Sequence, residues 1–264
     1  MFDDVSSLEK ISKELKEKII IRLNSRGGGH YGGSLSVLDI LITLYYRVID
    51  LNELKNNKKI RDKIILSKGH ASISLYSILH SLELISDKDY ESYGIDGSVL
   101  SGHPDMVCSD LIEFSTGSLG QGLSAAIGMA LILKQYNKQT WTILGDGECQ
   151  EGQIWEAASL APRYKLGNVN VILDSNKFQE YGWYKFSHID MKEPLPNPAE
   201  KWRAFGWHVL EVDGHNFNEL LTAMRTAQSN TLQPSIIIAH TIKGKGIPQF
   251  EKDPFISHCT SLTI

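Results

Sequence analysis

The chain predicts an α/β fold, an open and mostly parallel sheet flanked by helices. Short apolar runs end abruptly in Gly, Asp, Ser or His: Lys63–Ser67, Trp141–Gly145, Val171–Asn176, Trp207–Val212 and Pro234–His240. Between them lie longer segments with apolar residues at helical spacing, as in Glu151–Leu166. Strands alternating with helices favour parallel pairing through crossovers. At 264 residues the chain can bury one substantial core, so residues 1–264 read as a single domain.

Leu8, Ile11, Leu15, Ile19 and Leu23 recur at helical spacing among charged residues and predict a surface helix ending at Gly27-Gly-Gly29. A largely apolar helix follows over Ser34–Val48, with Ser34 as its expected cap, and then a polar, solvated connection from Asp50 to Asp62. The strand Lys63–Ser67 leads into a helix over Ala71–Leu84. Residues Ile85–Ser115 lose regularity and contain the turn-like Ser101-Gly-His-Pro104. Thr116-Gly-Ser-Leu-Gly-Gln-Gly122 opens a helix to Tyr136 whose small residues suit close packing or a subunit interface. The connection Lys177–Pro198, with Tyr181, Trp183, Tyr184 and Phe186, is too long for a turn, and loops of that length are often functional. Helices are expected from Pro198 and over Asn216–Gln228, with strands over Trp207–Val212 and Pro234–His240.

The net charge of −4, with 27 basic residues dispersed, argues against nucleic acid as a partner. Cys108, Cys149 and Cys259 form no Cys-x-x-Cys pair, so neither a disulfide framework nor a zinc site is indicated, and a reducing cytoplasm is expected. The first residues do not resemble a signal peptide, and no apolar run is long enough to span a bilayer.

The densest chemistry lies in Trp141-Thr-Ile-Leu-Gly-Asp-Gly147 and, thirty residues after Asp146, Asn176. Two parallel strands joined by a helix would deliver Asp146 and Asn176 to the carboxyl edge of the sheet, where open α/β sheets bind ligands. A carboxylate, an amide oxygen and a loop carbonyl form a hard-oxygen set suited to Mg²⁺, with coordination places left for phosphate oxygens. Gly145 and Gly147 would let backbone N–H groups approach such a phosphate. Asp-Gly alone is also an ordinary turn signal.

With Gly145-Asp146-Gly147 and Asn176 come Gln150-Glu-Gly152, Glu156-Ala-Ala-Ser-Leu160, Lys165-Leu-Gly-Asn168, Lys68-Gly-His-Ala71, Gly102-His-Pro104 and Gly29-His30. Together these words resemble the transketolase family over nearly the whole chain, and specifically its thiamine diphosphate-binding half. The resemblance implies thiamine diphosphate held through Mg²⁺ (or Ca²⁺ or Mn²⁺) by Asp146, Asn176 and the backbone carbonyl of Phe178. It implies that His70, Gly147 and Asn176 contact the diphosphate end and that Gly117, Ser118 and Leu119 pack on the cofactor rings, Ser118 standing where many members carry proline. His30, His103 and His258 would line the substrate channel and move protons, His258 also touching the cofactor, while Glu151 would join a carboxylate network across a subunit boundary. His258 is followed by Cys259 where glycine is usual. Lys243 and Lys245 read equally as diphosphate contacts or as a solvated loop. Gly27-Gly-Gly29 follows a helix rather than a strand, against a dinucleotide-binding loop.

In that family a glutamate of a second α/β domain binds the cofactor's pyrimidine, and this sequence ends six residues after His258. The expectation is therefore the amino-terminal subunit of a split transketolase, active with a separate carboxyl-terminal subunit that supplies the glutamate, in an α2β2 assembly. The implied reaction moves a two-carbon ketol unit from a ketose donor to an aldose acceptor, both sugars or sugar phosphates. The alternatives are the α subunit of a 2-oxo acid dehydrogenase, a pyruvate-using synthase, or a non-catalytic binding subunit.

Overall fold

The computed structural model describes residues 5–56, 58–180 and 193–261. In chain order the helices are α1 (Val5–Asn24), α2 (Tyr31–Thr43), α3 (Leu51–Lys55), α4 (Ser72–Ser81), α5 (Asp87–Glu91), α6 (Gln121–Leu133), α7 (Gly152–Arg163), α8 (Pro198–Ala204), α9 (Phe217–Ser229) and α10 (Pro248–Lys252). The strands are β1 (Lys63–Leu66), β2 (Thr140–Gly145), β3 (Val169–Ser175), β4 (His208–Asp213) and β5 (Ser235–His240). They form one sheet in the order β1-β2-β3-β5-β4, every neighbouring pair parallel, as expected. The aromatic segment expected between Lys177 and Pro198 lies largely outside the described residues.

Side-chain alternation along the strands feeds two cores. Trp141, Ile143, Ile172 and Ile237 face a core built with α1, α2, α4 and α9. Leu144, Val171, Leu173, Ile236 and Ile238 face the other, built with α6, α7 and α8. Burial on both faces explains why β2 and β3 read as continuous apolar runs. β1 and β4 are the edge strands, and of the two β4 is only partly buried.

The register aligns the functional edge. Gly145 pairs with Asp174, and Asp174 with Ala239. Residues one or two positions beyond these ends, Lys68, Asp146, Asn176 and Thr241, therefore emerge side by side at the carboxyl edge.

Two local expectations change. α2 begins at Tyr31, not Ser34, and Ser34 is fully buried inside its first turn without a hydrogen bond from its hydroxyl. Tertiary packing overrides the capping preference. Gly32 and Gly33 cost helix propensity, on the order of 1 kcal/mol each, but they admit neighbours that no side chain would tolerate. A Cβ on Gly33 would lie 2.7 Å from His70 Nε2, and one on Gly32 would overlap Ser257. The connection after Asp50 is also partly helical, because the Asp50 carboxylate accepts from the N–H groups of Asn52 and Glu53 and caps α3.

The glycine run after α1 docks the carboxyl-terminal segment. Gly29 and Thr260 exchange backbone hydrogen bonds, the Gly29 N–H donating at 2.8 Å and the Thr260 N–H at 3.1 Å. Gly28, at φ +126°, leaves room for the Thr260 carbonyl where a Cβ would collide with it. This pairing carries His258 back to His30. Gly28→Ala is therefore expected to release the segment, accelerating amide exchange at Thr260 and lowering stability by about 1–3 kcal/mol. A thermal melt and residue-resolved hydrogen exchange check it; unchanged exchange at Thr260 would show that the glycine is dispensable.

Candidate active site

A cavity of about 270 Å³ opens at the carboxyl edge of β1, β2 and β3. Its lining includes Gly33, His70, Leu119, Asp146, Asn176 and Lys243, with Gly147, Phe178 and His258. Under it lies a buried polar layer. Asp174, fully buried, accepts from Lys68 Nζ, from Ser36 Oγ at 2.6 Å and from Thr241 Oγ1. Lys68 is itself 1% exposed. Each Asp174 oxygen thus has a donor, as a buried carboxylate requires.

Asp146 is 3% exposed. Its Oδ1 accepts from the Gly147 N–H at 2.8 Å and its Oδ2 from the Lys177 N–H at 2.5 Å. Burial and then the nearby Asp174 charge push its carboxyl up to about 7. Such a carboxylate is short of positive charge. Asn176 Oδ1 accepts from the Phe178 N–H at 3.0 Å, while its amide donates to Ser36 Oγ at 3.3 Å. The Phe178 carbonyl accepts from the Lys243 ammonium at 3.4 Å, so a cation already stands against one of the three expected metal oxygens. Among the described residues no cluster of three or more His, Cys, Asp or Glu side chains has metal-holding geometry. A magnesium site here would instead rest on one carboxylate, one amide and one carbonyl, and the under-compensated Asp146 fits that donor set.

Four histidines cluster at the cavity: His70 and His258 line it, and His30 and His103 stand beside them outside its lining. The ring centroid of His30 lies 5.6 Å from that of His70, 5.9 Å from His103 and 5.5 Å from His258, and His70 lies 5.4 Å from His258. Burial lowers all four, strongly for His70. His258 falls to about 3, through burial and then the Lys243 charge. All four are therefore neutral imidazoles near pH 7, each able to accept a proton or donate an N–H bond. Lys243, buried beside Lys68, drops to about 8 and sits 3.2 Å from His258 Nδ1.

Gly117, at φ +137°, gives His103 its place, since a Cβ would lie 2.9 Å from the ring. Leu119 lines the cavity. Ser118 and Glu151 are exposed, and neither lines it. The N–H of Gly147 is taken by Asp146 rather than left open to the cavity.

Sequence reasoning passed over Asp174, Lys68 and Glu148 as functional residues. Glu148, 2% exposed, accepts from Ser67 Oγ, from the Gly120 N–H at 2.8 Å and from the Gly145 N–H at 3.1 Å. It ties the ends of β1 and β2 to the start of α6. A charged residue inside an apolar strand, as in Leu173-Asp-Ser175, was the available signal for Asp174.

A family model described as "Transketolase, thiamine diphosphate binding domain" matches residues 18–263. The chain is 37% identical over its whole length to a 6-deoxy-6-sulfo-D-fructose transketolase subunit of Clostridium sp. (strain MSTE9), covering 94% of that protein. It is 35% identical to an apulose-4-phosphate transketolase subunit of Phocaeicola vulgatus over 94% of this chain and 86% of that one. It superposes on transketolase from Campylobacter jejuni with a TM-score of 0.85 at 30% identity over 99% of its length, spanning 41% of that longer chain. The chain belongs to the transketolase thiamine diphosphate-binding domain family. Among the described residues no helix is long and apolar enough to cross a membrane.

The depressed histidines have a stability signature. His258, lowered from 6.5 to about 3, contributes stability that is complete above about pH 6.5 and is lost as pH falls through about 3. Its replacement in His258→Gln is expected to reduce the acid slope of stability by up to about 1.4 kcal/mol per pH unit between those limits. Urea unfolding from pH 3.5 to 7.5 measures it; identical slopes would remove His258 from the coupled cluster.

Proposed function

We propose that this chain is the cofactor- and metal-binding subunit of a two-chain transketolase, transferring a two-carbon ketol unit from a ketose to an aldose. The observation that carries the reading is the convergence of Asp146, Asn176 and four neutral histidines at one sheet edge. Two relatives covered over 86% and 94% of their own length carry the word subunit in their names, which supports a separate partner chain. That partner would supply the glutamate for the cofactor's pyrimidine, in an α2β2 assembly. The exposed Glu151 is then available to a carboxylate network across the boundary.

Asp146, Asn176 and the Phe178 carbonyl would hold Mg²⁺, and His70 with Lys243 would receive the diphosphate. Bound thiamine diphosphate supplies a carbanion and an electron sink for breaking and making the bond next to a carbonyl. His30, His103 and His258 would donate N–H bonds to the substrate oxygens and shuttle their protons; neutral imidazoles near pH 7 can serve in both directions.

Calorimetric titration of thiamine diphosphate with Mg²⁺ into the chain together with its partner tests the reading. Saturable, metal-dependent binding and ketol transfer are expected, Asp146→Ala abolishing the metal dependence with the fold intact by circular dichroism. His103→Ala is expected to lower turnover by about 10²–10⁴-fold while cofactor binding persists. A mixture that binds cofactor but only decarboxylates a 2-oxo acid would assign the chain to the dehydrogenase class instead.

A further inference from the structure

Lys243 enters the cavity from Thr241-Ile-Lys-Gly-Lys-Gly246, a segment whose one apolar side chain, Ile242, is 39% exposed. Gly244, at φ +78°, packs against the core residue Phe250. The other anchors are polar. Thr241 Oγ1 donates to Asp174, the Gly244 N–H donates to the Gly32 carbonyl at 3.1 Å, and the Ile242 N–H donates to His215 Nε2 at 3.0 Å. His215 can accept there only if its proton is on Nδ1. Asp39 imposes that tautomer, its Oδ2 lying 2.8 Å from Nδ1.

Asp39 is kept a carboxylate although burial opposes its charge: the His215 hydrogen bond, Lys16 at 3.6 Å and the Ser12 hydroxyl at 2.5 Å hold it below its ordinary value. It sits on α2 one turn after Ser36, which reaches Asp174 and Asn176. One buried helix thus supports the metal-side residues through Ser36 and the Lys243 segment through Asp39 and His215.

We propose that His215, oriented by Asp39, is a positioning residue that sets the Thr241–Gly246 segment so that Lys243 meets the diphosphate of the cofactor. The inference rests on the transketolase reading for its ligand, but the His215–Ile242 link can be tested without any ligand. The two nitrogens have separate amide mimics. Glutamine can place an acceptor near Nε2, whereas asparagine can keep only the donor to Asp39.

The full chain with its partner is compared as wild type, His215→Ala, His215→Asn and His215→Gln. In His215→Ala and His215→Asn, amide exchange of the peptide covering 241–247 is expected to accelerate. The thiamine diphosphate Kd is expected to rise about 10–100-fold, with turnover at saturating cofactor little changed. His215→Gln should restore both. Wild-type exchange and affinity in His215→Ala would overturn the inference, as would a glutamine variant no better than asparagine, or exchange accelerated throughout the chain instead of in this segment. If the wild-type pair binds no thiamine diphosphate, the functional reading fails, and the exchange measurement still decides whether His215 holds the segment.

Discussion

The site depends on one buried ion pair, Lys68 with Asp174. Desolvating two charges is expensive, and the pair survives because Ser36 and Thr241 complete the hydrogen bonds of the carboxylate. Four separate pieces of chain meet there: the turn after β1, helix α2, strand β3 and the loop after β5. Gly33, His70, Asn176, Phe178 and Lys243 line the cavity from those pieces, and the end of β2, the start of α6 and the carboxyl-terminal segment close the rest. Removing either charge would leave the other buried and alone, a loss of about 3–5 kcal/mol, enough to disturb the whole edge of the sheet.

Burial is the largest cause of the shifts above the pair, and the pair's charges add to it. Burial and then the negative charge of Asp174 raise Asp146, while burial, with the positive charge of Lys68 among the further causes, lowers His70, His258 and Lys243. The result is a floor with an under-neutralised carboxylate on one side and neutral bases with a weakened ammonium on the other. A dication bound beside Asp146 with an anionic diphosphate toward His70 and Lys243 would compensate both. The backbone is shaped for the same purpose. Gly33 and Gly117 are positions where a side chain would displace His70 or His103, so conformational freedom and helix propensity are given up where the imidazoles must sit close.

The sequence by itself determined the fold class, the parallel sheet and the strand ends, since buried parallel strands write themselves as apolar runs ending in small polar residues. It also singled out Asp146, Asn176 and the four histidines, because these stand in short local words at strand ends and turns, and the fold brings them to one edge of the sheet. Tertiary structure alone decided where α2 begins, since packing against His70 and Ser257 outweighed the cap that Ser34 offered. It alone made Asp174, Glu148 and the Asp39–His215 pair into supports. Their partners lie from tens of residues to more than a hundred away along the chain, and a carboxylate within an apolar strand or beside a turn acquires its meaning only from what the fold places against it. Electrostatic character was likewise hidden: a histidine in a glycine-rich loop reads as an ordinary titrating base, and only burial, joined by the Lys243 charge at three of the four, makes it a neutral one.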